Sequence, residues 1–151
     1  AITLDDNRWS RPDIKTTQLL PNVLAKTEAN KKGAFEGIFI DSDGYVTEGS
    51  SSNIWIINDN NEIITRAIDG QILSGITRKT IAQFAKLNNL IVKEEKFKKE
   101  ELYKSKEVFL TSASSFVTPI IKVDDIEIND GKIGQTSINL RNLYFSKLHN
   151  N

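Results

Sequence analysis

The chain has 151 residues, enough for one domain with a hydrophobic core of its own. Its 20 basic and 20 acidic residues cancel, which removes the electrostatic case for nucleic acid or an anionic membrane as partner. With no cysteine, disulfides and thiolate metal sites are excluded, and the only histidine, His149, sits in the terminal "SKLHNN", which argues against serine–histidine catalysis. No apolar run approaches the roughly 20 residues of a membrane span and "AITLDDNRW" is no signal peptide, so a cytoplasmic location is expected.

In chain order, "RPDIK" is expected to be a short extended piece, because Pro12 holds Arg11 out of the helical region. "LLPNVLAKTEANKKG" reads as a helix, with Pro21 in its first turn, Leu20, Val23 and Leu24 on one side and Gly33 as its stop. "AFEGIFI" is a strand, "DSDG" a turn, and "YVTEGSSSNIWII" the partner strand of a central hairpin. After the turn "NDNNE" come a strand "IITRA" and a helix "GITRKTIAQFAKLNN", with Ile81, Phe84, Ala85 and Asn88 at helical spacing. "LIVKEEKF" is a strand, "KKEELYKSK" a short polar helix on a solvated face, and "EVFLTSASS" a strand ending in small hydroxyls. "VTPIIKVDD" and "IEIND" look like another hairpin, and "GQTSINLRNLYFSKLH" is a closing amphipathic helix. No repeat or linker divides the chain, so it is read as one unit.

Four pieces of this pattern carry chemistry. Lys15 stands between the Pro-set segment and the first helix. Taken alone it reads as an ordinary surface lysine. Glu48 stands inside a strand that looks bound for a core, where an unpaired carboxylate costs several kcal/mol; its bland reading is a solvent-facing strand residue. "LSGIT", Leu73 to Thr77, opens a helix: Gly75 permits close approach to the backbone, and the free N–H groups of Ile76 and Thr77 suit a phosphate. "TSASS", Thr111 to Ser115, puts small hydroxyls at a strand end, where they hold an anion or simply form a turn. A lysine for a Schiff base, a carboxylate for a pyridine nitrogen and two backbone-rich loops for a phosphate together suit pyridoxal 5'-phosphate.

The stretches "RWSRPDIKTTQLLPNVLAKTEA", "VTEGSSSNIW", "ILSGITR" and "VFLTSAS" resemble, in order and over nearly the whole chain, the C-terminal domain of the fold-type IV pyridoxal-phosphate enzymes, the class IV aminotransferases. The resemblance implies an α/β fold with a curved mixed sheet, pseudo-barrel in form, and outer helices. It implies that Lys15 is the Schiff-base lysine, that Glu48 bonds the pyridine nitrogen and that Leu73 lies against the ring. It further implies that Gly75, Ile76 and Thr77 form the phosphate-binding helix start, Ser112 and Ala113 the second phosphate loop, and Ser52 and Asn53 part of the polar segment beside the cofactor. Arg8 matches a family arginine near the site. No metal is implied.

Within the family, "DIKTTQLLPN" is similar to the D-amino-acid transaminases. Thr16, Thr17, Gln18, Leu19 and Leu20 stand where branched-chain aminotransferases carry a Gly-Asn-Tyr segment and aminodeoxychorismate lyases a Leu-Asn-Arg segment. The implied reaction is transamination between an amino acid and a 2-keto acid, with the freed Lys15 amine as proton carrier; that amine must be neutral part of the time, which burial would favour. The rivals are a lyase on the same scaffold and a non-catalytic ligand-binding module. The family's smaller N-terminal domain is absent from these 151 residues. The chain is therefore expected to be a C-terminal part, nearly inactive alone, whose partners are that missing domain and a second copy in a homodimer.

Overall fold

A computed structural model describes residues 1–149, with the side chains of residues 148 and 149 left aside, so that of His149 lies outside the described part. In chain order the elements are β1 (Ile2–Asp5), α1 (Leu20–Lys31), β2 (Gly37–Ile40), β3 (Val46–Gly49), β4 (Asn53–Ile57), β5 (Ile63–Thr65), α2 (Ile76–Leu87), β6 (Val92–Glu94), α3 (Lys99–Lys104), β7 (Glu107–Ser112), β8 (Phe116–Ile120), β9 (Lys122–Val123), β10 (Ile126–Glu127) and α4 (Gln135–His149). The fold is α/β with mixed sheets. A three-stranded sheet runs β1-β2-β3 and a five-stranded sheet runs β6-β5-β4-β7-β8, while β9 and β10 pair with each other. The β1–β2 and β5–β6 pairs are parallel and the others antiparallel.

The five-stranded sheet is covered on both faces, and alternation along its strands decides which residue goes where. Ile54 and Ile56 of β4, with Val108 and Leu110 of β7, join Ile38, Val46, Phe97 and Leu102 in one core. Trp55, Ile57 and Phe109 point the other way, onto Ile81, Ala82 and Ala85 of α2 and Leu140 of α4. Trp55 pairs with Phe109 in register, and their rings stack at 5.5 Å. The Trp55 indole N–H donates to Thr111 Oγ1 (2.9 Å), tying this core to the end of β7.

The structure corrects four expectations. The stretch Tyr45–Ile57 is not one strand. β3 pairs with β2, the chain breaks at Ser50–Ser52, and β4 continues in the other sheet between β5 and β7. A tight turn causes the break: the Gly49 N–H donates to the Ser52 carbonyl (2.7 Å), and a Cβ on Gly49 would lie 2.1 Å from Ser52 Oγ. The segment Arg11–Lys15 is a turn rather than an extended piece, closed by the Ile14 N–H on the Arg11 carbonyl (3.1 Å). On α1 the face with Leu20, Val23 and Leu24 is exposed, and Ala25 and Ala29 are buried instead. Small side chains let α1 approach β2 closely: a Cβ on Gly37 would stand 3.2 Å from the Ala25 carbonyl oxygen. Finally, β8 pairs with β7, and only the two-residue strands β9 and β10 form the last hairpin.

Candidate active site

The break between β3 and β4 opens a cleft of about 540 Å³. Its walls come from the segment Arg8–Leu19, the run Glu48–Asn53, the stretch Leu73–Arg78 and the end of β7 at Thr111–Ala113. All the predicted site residues, Arg8, Lys15, Glu48, Ser52, Asn53, Leu73, Gly75, Ile76, Thr77, Ser112 and Ala113, line it.

Glu48 is anchored from three sides. Its carboxylate accepts from Arg8 Nη1, from Asn53 Nδ2 (3.2 Å) and from the Leu73 N–H (3.0 Å). Asn53 also donates to the Leu73 carbonyl (2.9 Å), so three distant segments are fastened at one carboxylate. Burial pushes the Glu48 carboxyl up to about 7, against the opposing pull of the Arg8 charge and the Leu73 N–H. Arg8 is held in turn by Asp6 through two bonds of 2.8 and 2.7 Å, and its guanidinium lies 4.8 Å from the centroid of the Phe39 ring. Burial works against the Arg8 charge, yet the bonds to Asp6 and the charge of Glu48 prevail and raise its pKa.

Lys15 projects from the irregular segment between β1 and α1 and is exposed at the cleft, so the burial expected of it is not found. Opposite stands the start of α2. Gly75 occupies the N-cap position with no side-chain cap, and a Cβ there would lie 2.5 Å from Asn53 Oδ1. The N–H groups of the first helical turn, Ile76 and Thr77 among them, have no partner within the helix, and this positive end of the helix dipole lies at the cleft. Thr77 is buried and its hydroxyl has no hydrogen-bond partner. The Ser112 hydroxyl bonds within its own turn, to Ser115 Oγ (2.6 Å) and from the Ser115 N–H (3.0 Å). That turn ends at Phe116, whose φ of 60° lies in the left-handed region and whose ring packs on Tyr144 and Phe145.

The serine run serves a second carboxylate that sequence reading passed over. Glu36, buried at the start of β2, accepts from the hydroxyls of Ser50, Ser51 (3.4 Å) and Ser52 (3.0 Å) and from the Gly37 N–H (3.0 Å). Thus the Ser52 hydroxyl turns behind the cleft wall, while Glu48 and Asn53 face the cleft. In "AFEGIFI" nothing marks Glu36 except its company, a charged residue set among apolar ones. Asp6, two residues before Arg8 and directed at the same guanidinium, was likewise unassigned.

Comparison with known proteins fits this geometry. A model of the family amino-transferase class IV matches residues 2–123. A D-alanine aminotransferase of Listeria innocua is 41% identical over 148 residues, covering 98% of this chain and 50% of that protein. One from Staphylococcus aureus is 47% identical over 134 residues, covering 89% and 47%. Among solved structures, the branched-chain amino acid aminotransferase of Escherichia coli superposes with a TM-score of 0.86 at 28% identity, covering 96% of this chain and 49% of that one. The T.th. branched-chain amino acid aminotransferase complexed with N-(5'-phosphopyridoxyl)-L-glutamate gives 0.86 at 31% identity, covering 96% and 50%. The chain spans about half the length of the curated relatives it matches. With the family match over most of the chain, these relatives and the shared fold, the chain belongs to the class IV aminotransferase family.

Proposed function

We propose that the cleft holds pyridoxal 5'-phosphate and that the chain forms the cofactor-bearing half of a transaminase working on a D-amino acid and a 2-keto acid. The observation that carries this reading is convergence: the Lys15 amine, the Glu48 carboxylate and the uncapped start of α2, far apart in sequence, line one cleft. The residues fit the cofactor on their own chemistry. The unpartnered Thr77 hydroxyl and the free N–H groups suit a phosphate, and a carboxylate poised near 7 suits a ring nitrogen that must stay protonated. The names of the relatives at 40% identity and above supply the D configuration.

When bound, the cofactor supplies an electron sink that makes the substrate α-carbon acidic. Lys15 Nζ would take the proton from the α-carbon of the amino acid in one half-reaction and give a proton to the α-carbon derived from the 2-keto acid in the other. Glu48 holds a proton at the ring nitrogen, and Arg8 and Asn53 hold Glu48 in place. Leu73 offers an apolar side chain to the ring face while its N–H fixes Glu48. The other wall of the cleft, and water exclusion, fall to the family's N-terminal domain and to a second copy in a homodimer. Trp9, Ile14, Leu19 and Leu20, exposed around Lys15, are the apolar surface such partners would cover.

Titrating the protein with pyridoxal phosphate tests this reading. The near-visible absorbance band of the bound cofactor is expected in the wild type and absent from Lys15→Ala, which keeps its fold because Lys15 is exposed. A wild type without the band overturns the proposal. Transamination of D-alanine, compared with that of L-alanine, then tests the substrate class.

A further inference from the structure

The charged residues buried among the described residues are Glu36, Glu48, Arg66 and Arg78. The two carboxylates have their places. Arg66 has none so far, and it does not line the cleft. Net stability is a weak reason to bury an arginine, because the cost of desolvation offsets what its ion pairs return. A better reason lies in where its partners stand.

Arg66 begins the irregular loop that leads from β5 to α2. Its Nε donates to Asp69 Oδ2 (3.1 Å), with Nη2 3.0 Å from the same oxygen, so the loop is folded back on its own first residue. The other Asp69 oxygen accepts from the Gln71 N–H (3.1 Å). Arg66 Nη1 reaches out of the loop. It donates to Asp41 Oδ2 (3.0 Å) in the β2–β3 turn and to the carbonyl of Val46 (3.2 Å), the first residue of β3. The Arg66 carbonyl accepts from Arg78 Nη2 (2.8 Å) on the first turn of α2, which closes the base of the loop. One planar group thus joins the loop to the strand that carries Glu48 two residues further on.

The far end of the same loop meets Glu48. The Gln71 carbonyl accepts from Arg8 Nη2 (3.1 Å), the Leu73 N–H donates to Glu48 Oε2 (3.0 Å), and the Leu73 carbonyl accepts from Asn53 Nδ2 (2.9 Å). No strand ladder holds these backbone groups in place. Ile72 between them is buried, but apolar packing has no direction and does not aim an N–H. The ion pair at Asp69 does have direction, and it lies one turn of loop away from the donor.

We infer that Arg66 is a positioning residue for the transamination: by bracing the loop against β3 it aims the Leu73 N–H at Glu48, and so fixes the carboxylate that serves the ring nitrogen. This rests on the reading of the cleft as a pyridoxal phosphate site. It adds to that reading a residue that touches neither cofactor nor substrate.

The test is amide hydrogen exchange, followed by NMR at one fixed pH on the protein without cofactor. Arg66→Lys keeps the charge and loses the planar fork. The Leu73 amide is expected to exchange about tenfold faster or more, as on losing one hydrogen bond to a charged group, while the amides of β4 keep their rates. An unchanged Leu73 rate, or an equal acceleration in β4, overturns the assignment, the second because it makes Arg66 a general stabiliser. If Arg66→Lys does not fold, Asp69→Ala, made at an exposed carboxylate, releases the same brace from the loop side, with the same expectation and the same overturning results. With the family's N-terminal domain present and pyridoxal phosphate saturating, the variant is expected to lower kcat about tenfold and to leave KM for the 2-keto acid unchanged. An unchanged kcat also overturns the assignment. A wild type that binds no pyridoxal phosphate overturns the cofactor reading instead, and the exchange rates, measured without cofactor, keep the two failures apart.

Discussion

Two buried carboxylates stand at adjoining strands of one sheet, Glu36 just before β2 and Glu48 within β3, and they are treated in opposite ways. Glu36 is enclosed by donors from its own surroundings: three serine hydroxyls, the Gly37 N–H, and Lys26 at 3.7 Å. Glu48 receives donors on its inner side from Arg8, Asn53 and the Leu73 N–H, and its other side gives onto the cleft. The first arrangement uses a charge to pin a turn. The second leaves a charge unfinished, with burial raising its pKa to about 7 until a cationic partner arrives. A polar residue inside a core is therefore not yet a site; what separates the two is whether its shell is closed by the chain itself.

The largest expected effect sets activity against stability. Glu48→Gln keeps the shape and loses the charge proposed to hold a proton on the ring nitrogen. Turnover in the transamination assay, run with the family's N-terminal domain present, is expected to fall by about 10²–10³-fold, the usual effect of removing one preorganised electrostatic partner. Glu36→Gln should instead act on the fold. It leaves at least one of its buried donors without an acceptor, at a cost of about 1–3 kcal/mol in urea unfolding, and activity per folded molecule at saturating cofactor is retained. If Glu36→Gln abolished turnover without loss of stability, the distinction between the two carboxylates would collapse.

Next in size is a pH effect peculiar to Glu48. Its folded value lies above the ordinary 4.5, so the native state holds this proton more tightly than the unfolded chain does. The stability it contributes is present below about 4.5 and is lost as pH rises towards 7, on the order of 3 kcal/mol in all. Asp6 works in the opposite sense and in another window. Burial raises its pKa, but hydrogen bonds from Arg8 and Thr47 prevail and hold it below 3.8, so its contribution is lost only in stronger acid. Unfolding free energies measured between pH 4.5 and 7.5 should therefore fall for the protein without cofactor. The fall should shrink when pyridoxal phosphate is added and disappear in Glu48→Gln. An equal fall in that variant would assign the slope to another group.

The contrast between the two carboxylates also marks what was legible in the sequence. Helices α1, α2 and α4 and strands β2, β4, β5 and β7 follow from period and turn residues, which are local. β1 was missed because its partner, β2, lies more than thirty residues away and pairs with it in parallel. The single strand read through Tyr45–Ile57 was wrong because sheet exchange at Ser50–Ser52 depends on Glu36, which no local pattern ties to those serines. The residues that line the cleft, by contrast, were readable, since Lys15, Glu48 and "LSGIT" carry residue types that a cleft needs and a core does not. What the motif could not tell was direction. The serine hydroxyls were assigned to a cofactor, and they turn to the carboxylate behind the wall.

The smallest expected effect grades that turn hydroxyl by hydroxyl. Ser52 is buried and donates to Glu36 at 3.0 Å, whereas Ser51 is exposed and its contact is 3.4 Å. A buried bond to a charged acceptor is worth about 1.5–3 kcal/mol, so Ser52→Ala should lower the unfolding free energy by an amount in that range. Ser51→Ala removes a long bond at a site where water can take over, and its effect should stay within about 0.5 kcal/mol, as for most surface substitutions. Because both side chains meet one carboxylate, the double variant is expected to be non-additive, the remaining donors rearranging around Glu36. Chemical denaturation of the two single variants and the double variant measures this gradient. Equal losses from Ser51→Ala and Ser52→Ala would mean that the run acts as backbone alone, and that the closed shell around Glu36 does not hold the strands apart where the cleft opens.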